Sequence, residues 1–256
     1  MKARLTVLGS GTSMGVPTIG CDCAVCHSSD PRDRRTRPSV LVEYDSKTVL
    51  IDTTPDFREQ AIREQIRQLD AVLYTHAHAD HILGIDDLRP LSYHRPGKIP
   101  LYARPEAAEF LRTMFRYIFD ADYKYGGLAQ VELNPINGPV ELFGARFEPV
   151  TVKHGDAEII GFRFGSAAYL TDFSEIPEES FAQLRDLDIL FLDALRHRPH
   201  PTHSTVDNSL RIVERVKPKR AFFTHICHDL PHAATNATLP KNVQVSYDGM
   251  KLEFEI

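Results

Sequence analysis

Four potential metal ligands lie within the run Thr75-His76-Ala77-His78-Ala79-Asp80-His81. It follows a predicted apolar strand over residues 71–74 and precedes a predicted short helix over residues 82–88. Imidazole and carboxylate groups are common ligands of zinc, manganese and iron. Such groups crowded at the end of a buried strand would be desolvated at a cost if they bound nothing, so the loop predicts a metal site. A surface loop that is rich in histidine by chance is the other interpretation.

Further potential ligands stand where other predicted strands end. His154 follows the strand predicted over residues 145–152, and the other two follow the strands predicted over 167–170 and 220–224: they are Asp172 and His225. Taken singly, each is equally well explained as a capping carboxylate or a half-buried histidine. Together with the His-rich loop they favour a site for two metal ions, which manganese or zinc would fit. A carboxylate can bridge two ions, and Asp172 is the natural candidate.

A second cluster consists of Cys21, Cys23 and Cys26. Three thiolates at this spacing supply three of the four ligands of a tetrahedral structural zinc. The fourth ligand must come from elsewhere in the chain, and His228 and Cys227 are the candidates. We therefore expect a structural zinc loop near residues 20–27, with a reduced, metal-free cluster as the alternative.

Composition limits the class of protein. The chain has 256 residues, 42% of them hydrophobic and 25% charged, which excludes a disordered chain or a coiled coil. Its net charge of −5 argues against binding long nucleic acid by bulk charge. It has neither an apolar run of membrane-spanning length nor a recognisable secretion signal, so we expect no membrane partner and a cytoplasmic location. One domain over residues 1–256 is predicted.

The predicted elements favour a layered fold. Short strands fill both ends of the sequence, and helices are predicted over residues 56–68, 105–119 and 205–216. This order is neither a strict βαβ alternation nor an all-β pattern. It predicts an α/β protein in which two mixed sheets pack face to face with helices outside, an αββα sandwich of four layers.

With these motifs the chain resembles the metallo-β-lactamase superfamily, whose signature is HxHxDH followed by His, Asp and His in this order. The resemblance covers nearly the whole chain and implies the αββα sandwich with its site at one edge of the sheets. It also implies the ligand sets of the two ions: His76, His78 and His154 for one, Asp80, His81 and His225 for the other, and Asp172 as the bridge. The resemblance also implies that Asp80 is a catalytic residue in addition to a metal ligand.

Other motifs are similar to a phosphodiesterase branch of that superfamily, typified by the phosphoribosyl cyclic phosphodiesterases of the carbon–phosphorus lyase pathway. Four stretches carry this likeness: the Gly-rich residues 9–17 followed by Gly20-Cys21-Asp22-Cys23-Ala24-Val25-Cys26, then 224–228, 201–205 and 247–250. The likeness implies that His228 completes the structural zinc site with Cys21, Cys23 and Cys26. It also implies that His203 is a catalytic histidine.

The predicted activity is hydrolysis of a small, anionic phosphodiester, such as a ribose cyclic phosphate, by a metal-bridged hydroxide. Because His203 lies outside the ligand sets, we expect it to act as general acid, with His197 and His200 as competitors in the same loop. Three alternatives remain: an RNA 3′-processing nuclease of the superfamily, a thioester or lactone hydrolase, and a non-catalytic metal-binding module. The nucleases usually carry a long basic arm, which this sequence lacks.

Two segments and the oligomeric state have open interpretations. The arginine-rich residues 32–37 predict a solvated face, or alternatively a docking patch for a distal phosphate of the substrate. The aromatic residues of 115–125 fit either a lid over the site or a part of the core and a dimer surface. A homodimer is the common default among soluble oligomers.

Overall fold

The computed structural model describes residues 1–120, 122–123 and 126–256, and these form two sheets of seven strands. The first sheet is built mainly from the N-terminal half: β1 (Lys2–Gly9), β2 (Ser39–Tyr44), β3 (Lys47–Ile51), β4 (Ala71–Leu73), β5 (Ile99–Ala103), β6 (Val131–Pro135) and the last strand of the chain, β14 (Lys251–Glu255). The second sheet contains β7 (Val140–Leu142), β8 (Ala145–His154), β9 (Ala157–Phe164), β10 (Ala167–Leu170), β11 (Ile189–Asp193), β12 (Arg220–Thr224) and β13 (Val243–Val245).

Both sheets are mixed. The first has the order β14-β1-β2-β3-β4-β5-β6, with antiparallel pairs up to β3 and parallel pairs beyond it. The second has the order β13-β12-β11-β10-β9-β8-β7, parallel from β13 to β10 and antiparallel beyond. Strands β8, β10, β11 and β12 therefore run in the same direction and end at the same edge.

Helices connect the strands on the outer faces. They are α1 (Phe57–Arg63), α2 (Ala79–Ile82), α3 (Arg89–Tyr93), α4 (Pro105–Met114), α5 (Arg116–Phe119), α6 (Val206–Val216) and α7 (His232–Thr238). The described residues also form 3-10 turns: one before α1 at Pro31–Asp33, one between α2 and α3 at Leu83–Leu88, and one between α5 and α6 at Glu178–Leu184. None of the helices in the described ranges combines the length and the apolar character that a bilayer-spanning segment needs.

Three apolar clusters define the layers. The central cluster joins the inner faces of both sheets and includes Val42, Phe162 and Phe191. One outer cluster packs the first sheet against its helices and contains Leu50 of β3 and Leu111 of α4. The other outer cluster does the same for the second sheet. Since burying one face of a sheet requires a partner layer, these clusters confirm the predicted αββα sandwich.

Two predicted helices are shorter than expected. The helix predicted over residues 56–68 ends at Arg63, because Gln65 adopts a left-handed φ of 56° that a helix cannot contain. The helix predicted over 105–119 is interrupted at Phe115, whose φ of −108° and ψ of 39° separate α4 from α5. Phe115 and Ile118 are buried in the outer core of the first sheet. Tyr125, at the end of the aromatic segment, lies outside the described residues.

The prediction of a solvated face for the arginine-rich residues 32–37 is wrong for Arg35. Its side chain is fully buried and donates to Asp33 at 3.2 Å and to the carbonyl oxygens of Cys227 and Leu230 at 3.2 and 2.8 Å. Arg32 pairs with Asp30, and Arg37 pairs with Asp56. These arginines are therefore held by residues of the chain itself.

Candidate metal centre and zinc loop

The His-rich loop, residues 75–81, is separated from β4 by Tyr74 alone and runs into α2. It lies at the edge where β8, β10, β11 and β12 also end. His76 and His81 are buried, whereas His78 is exposed at the N-cap of α2. His154 is the last residue of β8, His225 directly follows β12, and Asp172 lies two residues beyond β10. Strand ends converging on one edge thus gather side chains that are far apart in the sequence.

The first group consists of His76, His78 and His154, whose ligand nitrogens lie within 4.8 Å of one another. Nδ1 of His154 is 2.8 Å from the carbonyl oxygen of Thr202, which can only accept a hydrogen bond. This bond fixes the proton on Nδ1 and leaves the lone pair on Nε2. Burial lowers the pKa of His154 and, helped by the neighbouring His81, that of His76, so both are kept neutral.

The second group consists of Asp80, His81, Asp172 and His225, again within 4.8 Å of one another. Oδ1 of Asp172 is 3.0 Å from Nε2 of His225, and its Oδ2 is 3.2 Å from Nε2 of His81. Asp172 also belongs to a group with His154 and His203. Its carboxylate therefore lies between the two predicted ligand sets, where a bridging ligand would have to be.

The backbone holds two of these residues in an uncommon conformation. Asp172 and His225 have left-handed φ values of 59° and 58°. A left-handed residue other than glycine costs on the order of 1–3 kcal/mol and persists only where its surroundings fix it. Ile226, next to His225, donates to the carbonyl of Ser10 and accepts from Thr12, at 2.9 and 3.1 Å. The N-terminal loop thus holds the backbone beside His225 in place.

The loop's close approach requires glycine at position 11. A Cβ on Gly11 would lie 2.8 Å from the carbonyl oxygen of Arg35, closer than real Cβ atoms come. The Gly-rich residues 9–17 therefore serve close backbone packing beside the site.

The electrostatics of the second group favour a cation. Burial alone would raise the pKa of Asp80 and Asp172, but the adjacent imidazoles hold both well below their usual values. Conversely, burial would lower the pKa of His225, and the carboxylates of Asp172 and Asp80 raise it to about 10. The two carboxylates thus hold protons on imidazoles that a bound metal ion would displace.

Buried nitrogens without a hydrogen bond test whether the residues fit metal ions. Within the described part of the chain, Nε2 of His76, Nε2 of His81 and both ring nitrogens of His225 make no hydrogen bond of good geometry, although oxygens of Asp172 lie 3.2 and 3.0 Å from Nε2 of His81 and of His225. A buried polar atom that lacks a partner is costly and calls for a ligand. Because all three histidines belong to the predicted ligand sets, the arrangement fits divalent cations.

Two carboxylates at this edge were missed by the sequence analysis. Asp52 directly follows β3, and its Oδ2 lies 2.8 Å from Nδ1 of His81 and accepts from Thr75 Oγ1 at 2.8 Å. Asp193, the last residue of β11, is fully buried, and its Oδ2 lies 2.8 Å from Nδ1 of His203. Both stand at the end of a predicted strand, which is the signal that also marked His154, Asp172 and His225.

His203 lies beside the ligand groups. One of its ring nitrogens is within 4.8 Å of ligand atoms of His154 and Asp172. Its competitors are placed differently. The His200 ring lies 4.9 Å from the His203 ring at a tilt of 48° and accepts a hydrogen bond from the Thr202 N–H, while His197 is exposed. Of the three, His203 has the buried carboxylate partner.

The cysteine cluster meets His228 rather than Cys227. The Sγ atoms of Cys21, Cys23 and Cys26 lie 3.1, 3.6 and 3.5 Å from Nδ1 of His228. Tetrahedral zinc bonds of about 2.3 Å to sulfur and about 2.0–2.1 Å to nitrogen separate such atoms by about 3.6 Å. Cys227 Sγ instead accepts a hydrogen bond from the Asp229 N–H. These four residues therefore have the chemistry and the spacing of a structural zinc site.

The family model for a β-lactamase superfamily domain matches residues 47–226. The chain belongs to this family. The crystal structure of a new diphosphatase from the PhnP family is 63% identical, covers 99% of this chain and 98% of its own, and superposes with a TM-score of 0.94. These matches confirm the metallo-β-lactamase resemblance and its phosphodiesterase branch.

Two curated relatives have names that give other activities. An octanoyltransferase from Porphyromonas gingivalis (strain ATCC BAA-308 / W83) is 37% identical over 253 residues, 97% of this chain and 51% of the relative. A ribonuclease Z from Bradyrhizobium diazoefficiens is 27% identical over 150 residues, 55% of this chain and 48% of the relative. The chain spans about half the length of these curated relatives.

Proposed function

We propose that this chain is a metal-dependent hydrolase of small phosphodiesters, with a ribose cyclic phosphate as the substrate class. The observation that carries the proposal is the convergence of both ligand groups and the Asp193–His203 pair at one edge of the sandwich. Asp172 would bridge two divalent ions, manganese or zinc, and Cys21, Cys23, Cys26 and His228 would hold a structural zinc.

The ligand residues prepare the site for an anionic ester. His76 and His154 present neutral imidazoles, whereas Asp80 and Asp172 supply negative charge. When bound, two divalent ions supply positive charge for the phosphoryl oxygens and a nucleophile at neutral pH. Asp52 orients His81 by accepting from its Nδ1, and Thr202 orients His154 in the same way.

His203 would act as the general acid. Asp193 accepts a hydrogen bond from Nδ1–H of His203, so Nε2 is the nitrogen that can donate a proton to the leaving oxygen. In the overall reaction, water adds to phosphorus and releases one proton to solvent, the ester P–O bond breaks, and the departing alkoxide takes its proton from His203, which solvent then reprotonates. Buried Asp193 stabilises the protonated imidazole before that transfer and holds the ring in one orientation.

A second candidate is hydrolysis of a diphosphate linkage, because the PhnP-family relative with 63% identity is a diphosphatase. The same charges at the site would stabilise phosphoryl oxygens in either reaction. The two candidates differ in the leaving group, which is an alkoxide in one and a phosphate in the other.

The test is hydrolysis by purified protein supplied with Mn²⁺ or Zn²⁺. Bis-p-nitrophenyl phosphate, a ribose cyclic phosphate, a diphosphate diester and a tRNA precursor are compared. We expect turnover of the first two and none of the tRNA. Turnover of the diphosphate alone would replace the first candidate by the second, and turnover of the tRNA precursor alone would favour the nuclease. No turnover with any metal would overturn the proposed activity.

A further inference from the structure

A cleft of about 440 Å³ opens beside the first ligand group. His76, His78 and His154 form one side of it, so a phosphate held at these residues would have its substituent next to the cleft. Its size falls within the range of about 300–1,000 Å³ that is typical of small-molecule pockets. The space accommodates more of a substrate than its phosphate.

Part of the wall of the cleft is apolar. Phe110 and Ala107 line it from α4, and Ile159 and Ala157 line it from β9. The Phe110 side chain is among the exposed large hydrophobic groups, at 46%. An aromatic ring left open at a pocket beside a reaction centre offers a stacking surface for a flat group.

The charged groups of the cleft disfavour a second anion. Arg104 lies between Glu106 and Glu158, at 3.5 and 3.9 Å. The three side chains together carry one negative charge, which opposes a second phosphate there. Both N–O distances exceed the about 2.7–3.2 Å of a hydrogen bond, so the N–H groups of Arg104 are not taken up by close hydrogen bonds to the two glutamates. The rim therefore offers both donors and acceptors to a neutral group.

We propose that this cleft binds the nucleobase of a nucleoside phosphodiester, with the base stacked on Phe110 and its polar edge facing Arg104 and Glu158. The proposal rests on the proposed function, since the phosphate must be held at the ligand groups. A nucleobase is flat, uncharged and carries donors and acceptors on its edge, which matches the wall and the rim. A sugar phosphate without a base matches neither.

The test compares kcat/KM for adenosine 2′,3′-cyclic phosphate and for 1-O-methylribose 2,3-cyclic phosphate, which lacks the base. Base stacking on one aromatic side chain is expected to favour the nucleoside about 10- to 100-fold in the unchanged protein. Phe110→Ala should bring this preference close to one, and Phe110→Tyr should keep it. Met114→Ala is the matched control, because Met114 is on the same helix, is 44% exposed and is not part of the cleft.

The outcomes separate the two proposals. Hydrolysis of both substrates at equal efficiency, or a preference that Phe110→Ala leaves intact, would overturn the nucleobase cleft while the proposed hydrolase activity stands. Hydrolysis of neither substrate, nor of bis-p-nitrophenyl phosphate, would overturn the activity and the cleft with it.

Discussion

Oδ2 of Asp193 lies 2.8 Å from Nδ1 of His203, with the carboxylate fully buried and the imidazole at the edge of both ligand groups. Burial raises the pKa of Asp193, although the hydrogen bond from His203 counteracts it. The pair resembles the arrangement in which a buried carboxylate orients a histidine that transfers protons. In the proposed function the two residues would have separate tasks: His203 would deliver the proton, and Asp193 would position His203.

The first prediction concerns this pair and the leaving group. His203→Ala should lower kcat about 10²–10⁴-fold on an alkyl ester, whose leaving group needs a proton, and far less on a p-nitrophenyl ester. Asp193→Asn should show the same dependence with a smaller loss. Adding it to His203→Ala should cost little more, since the two act as a unit. Equal losses on both esters, or a loss of metal from His203→Ala, would refute this division of tasks.

The second prediction concerns Asp172 as a bridge. Asp172→Asn should weaken binding of both active-site ions, because its carboxylate belongs to the group of Asp80, His81 and His225 and also lies within 4.8 Å of the ligand nitrogen of His154 in the first group. His78→Ala should weaken mainly one ion, since His78 belongs to the first group alone. Competition with a chelator, followed by metal analysis, measures the affinities. The loss is expected to exceed the roughly 10- to 100-fold caused by removing an outer partner of a ligand. A loss of only one ion in Asp172→Asn would argue against bridging.

The third prediction concerns the zinc loop. His228→Ala should release one zinc and expose residues 20–27 to proteolysis, because this segment is largely exposed and its three cysteines contact His228. Cys227→Ser is the matched control: it lies next to His228 but outside the ligand group, so zinc content should stay unchanged. Zinc loss in the control together with retention in His228→Ala would assign the fourth ligand to Cys227.

The fourth prediction concerns Arg35. Arg35→Met removes the cation paired with the buried Asp33 carboxylate, which keeps the hydrogen bond from the His232 N–H, and removes the donor to two carbonyl oxygens, so the free energy of unfolding should fall by about 3–5 kcal/mol. Arg4→Met is the control, since Arg4 pairs with Glu43 at the surface and such pairs contribute about 0–1 kcal/mol. Urea unfolding measures both. A similar small effect in the two variants would mean that the buried pair is not needed for stability.

Much of the site could be predicted because ligands follow strands. His76, His154, Asp172 and His225 come after apolar runs, and parallel strands bring their ends to one edge. Asp52 and Asp193 obey the same rule, but a single carboxylate after a strand is indistinguishable from a cap. Only the fold shows that Asp52 faces His81 and Asp193 faces His203. These partners depend on contacts across the sandwich that sequence spacing does not encode.

The errors have a similar origin. Arg35 stands among other arginines, so its segment favours a solvated face, yet the acceptors that bury it come from the distant residues 227 and 230. The short strands β6 and β7 were not predicted, because each gains its stability from the neighbouring strand rather than from a strong pattern of its own. The end of α1 depends on the conformation of Gln65, for which its residue type gives no signal.

The most direct test is the number of divalent ions that the active protein binds, counted by native mass spectrometry while phosphodiester hydrolysis is assayed on the same sample. We predict three ions per chain: two that a chelator removes together with the activity, and one zinc that resists it. An active protein that binds only a single ion, at the cysteine cluster, would contradict the account.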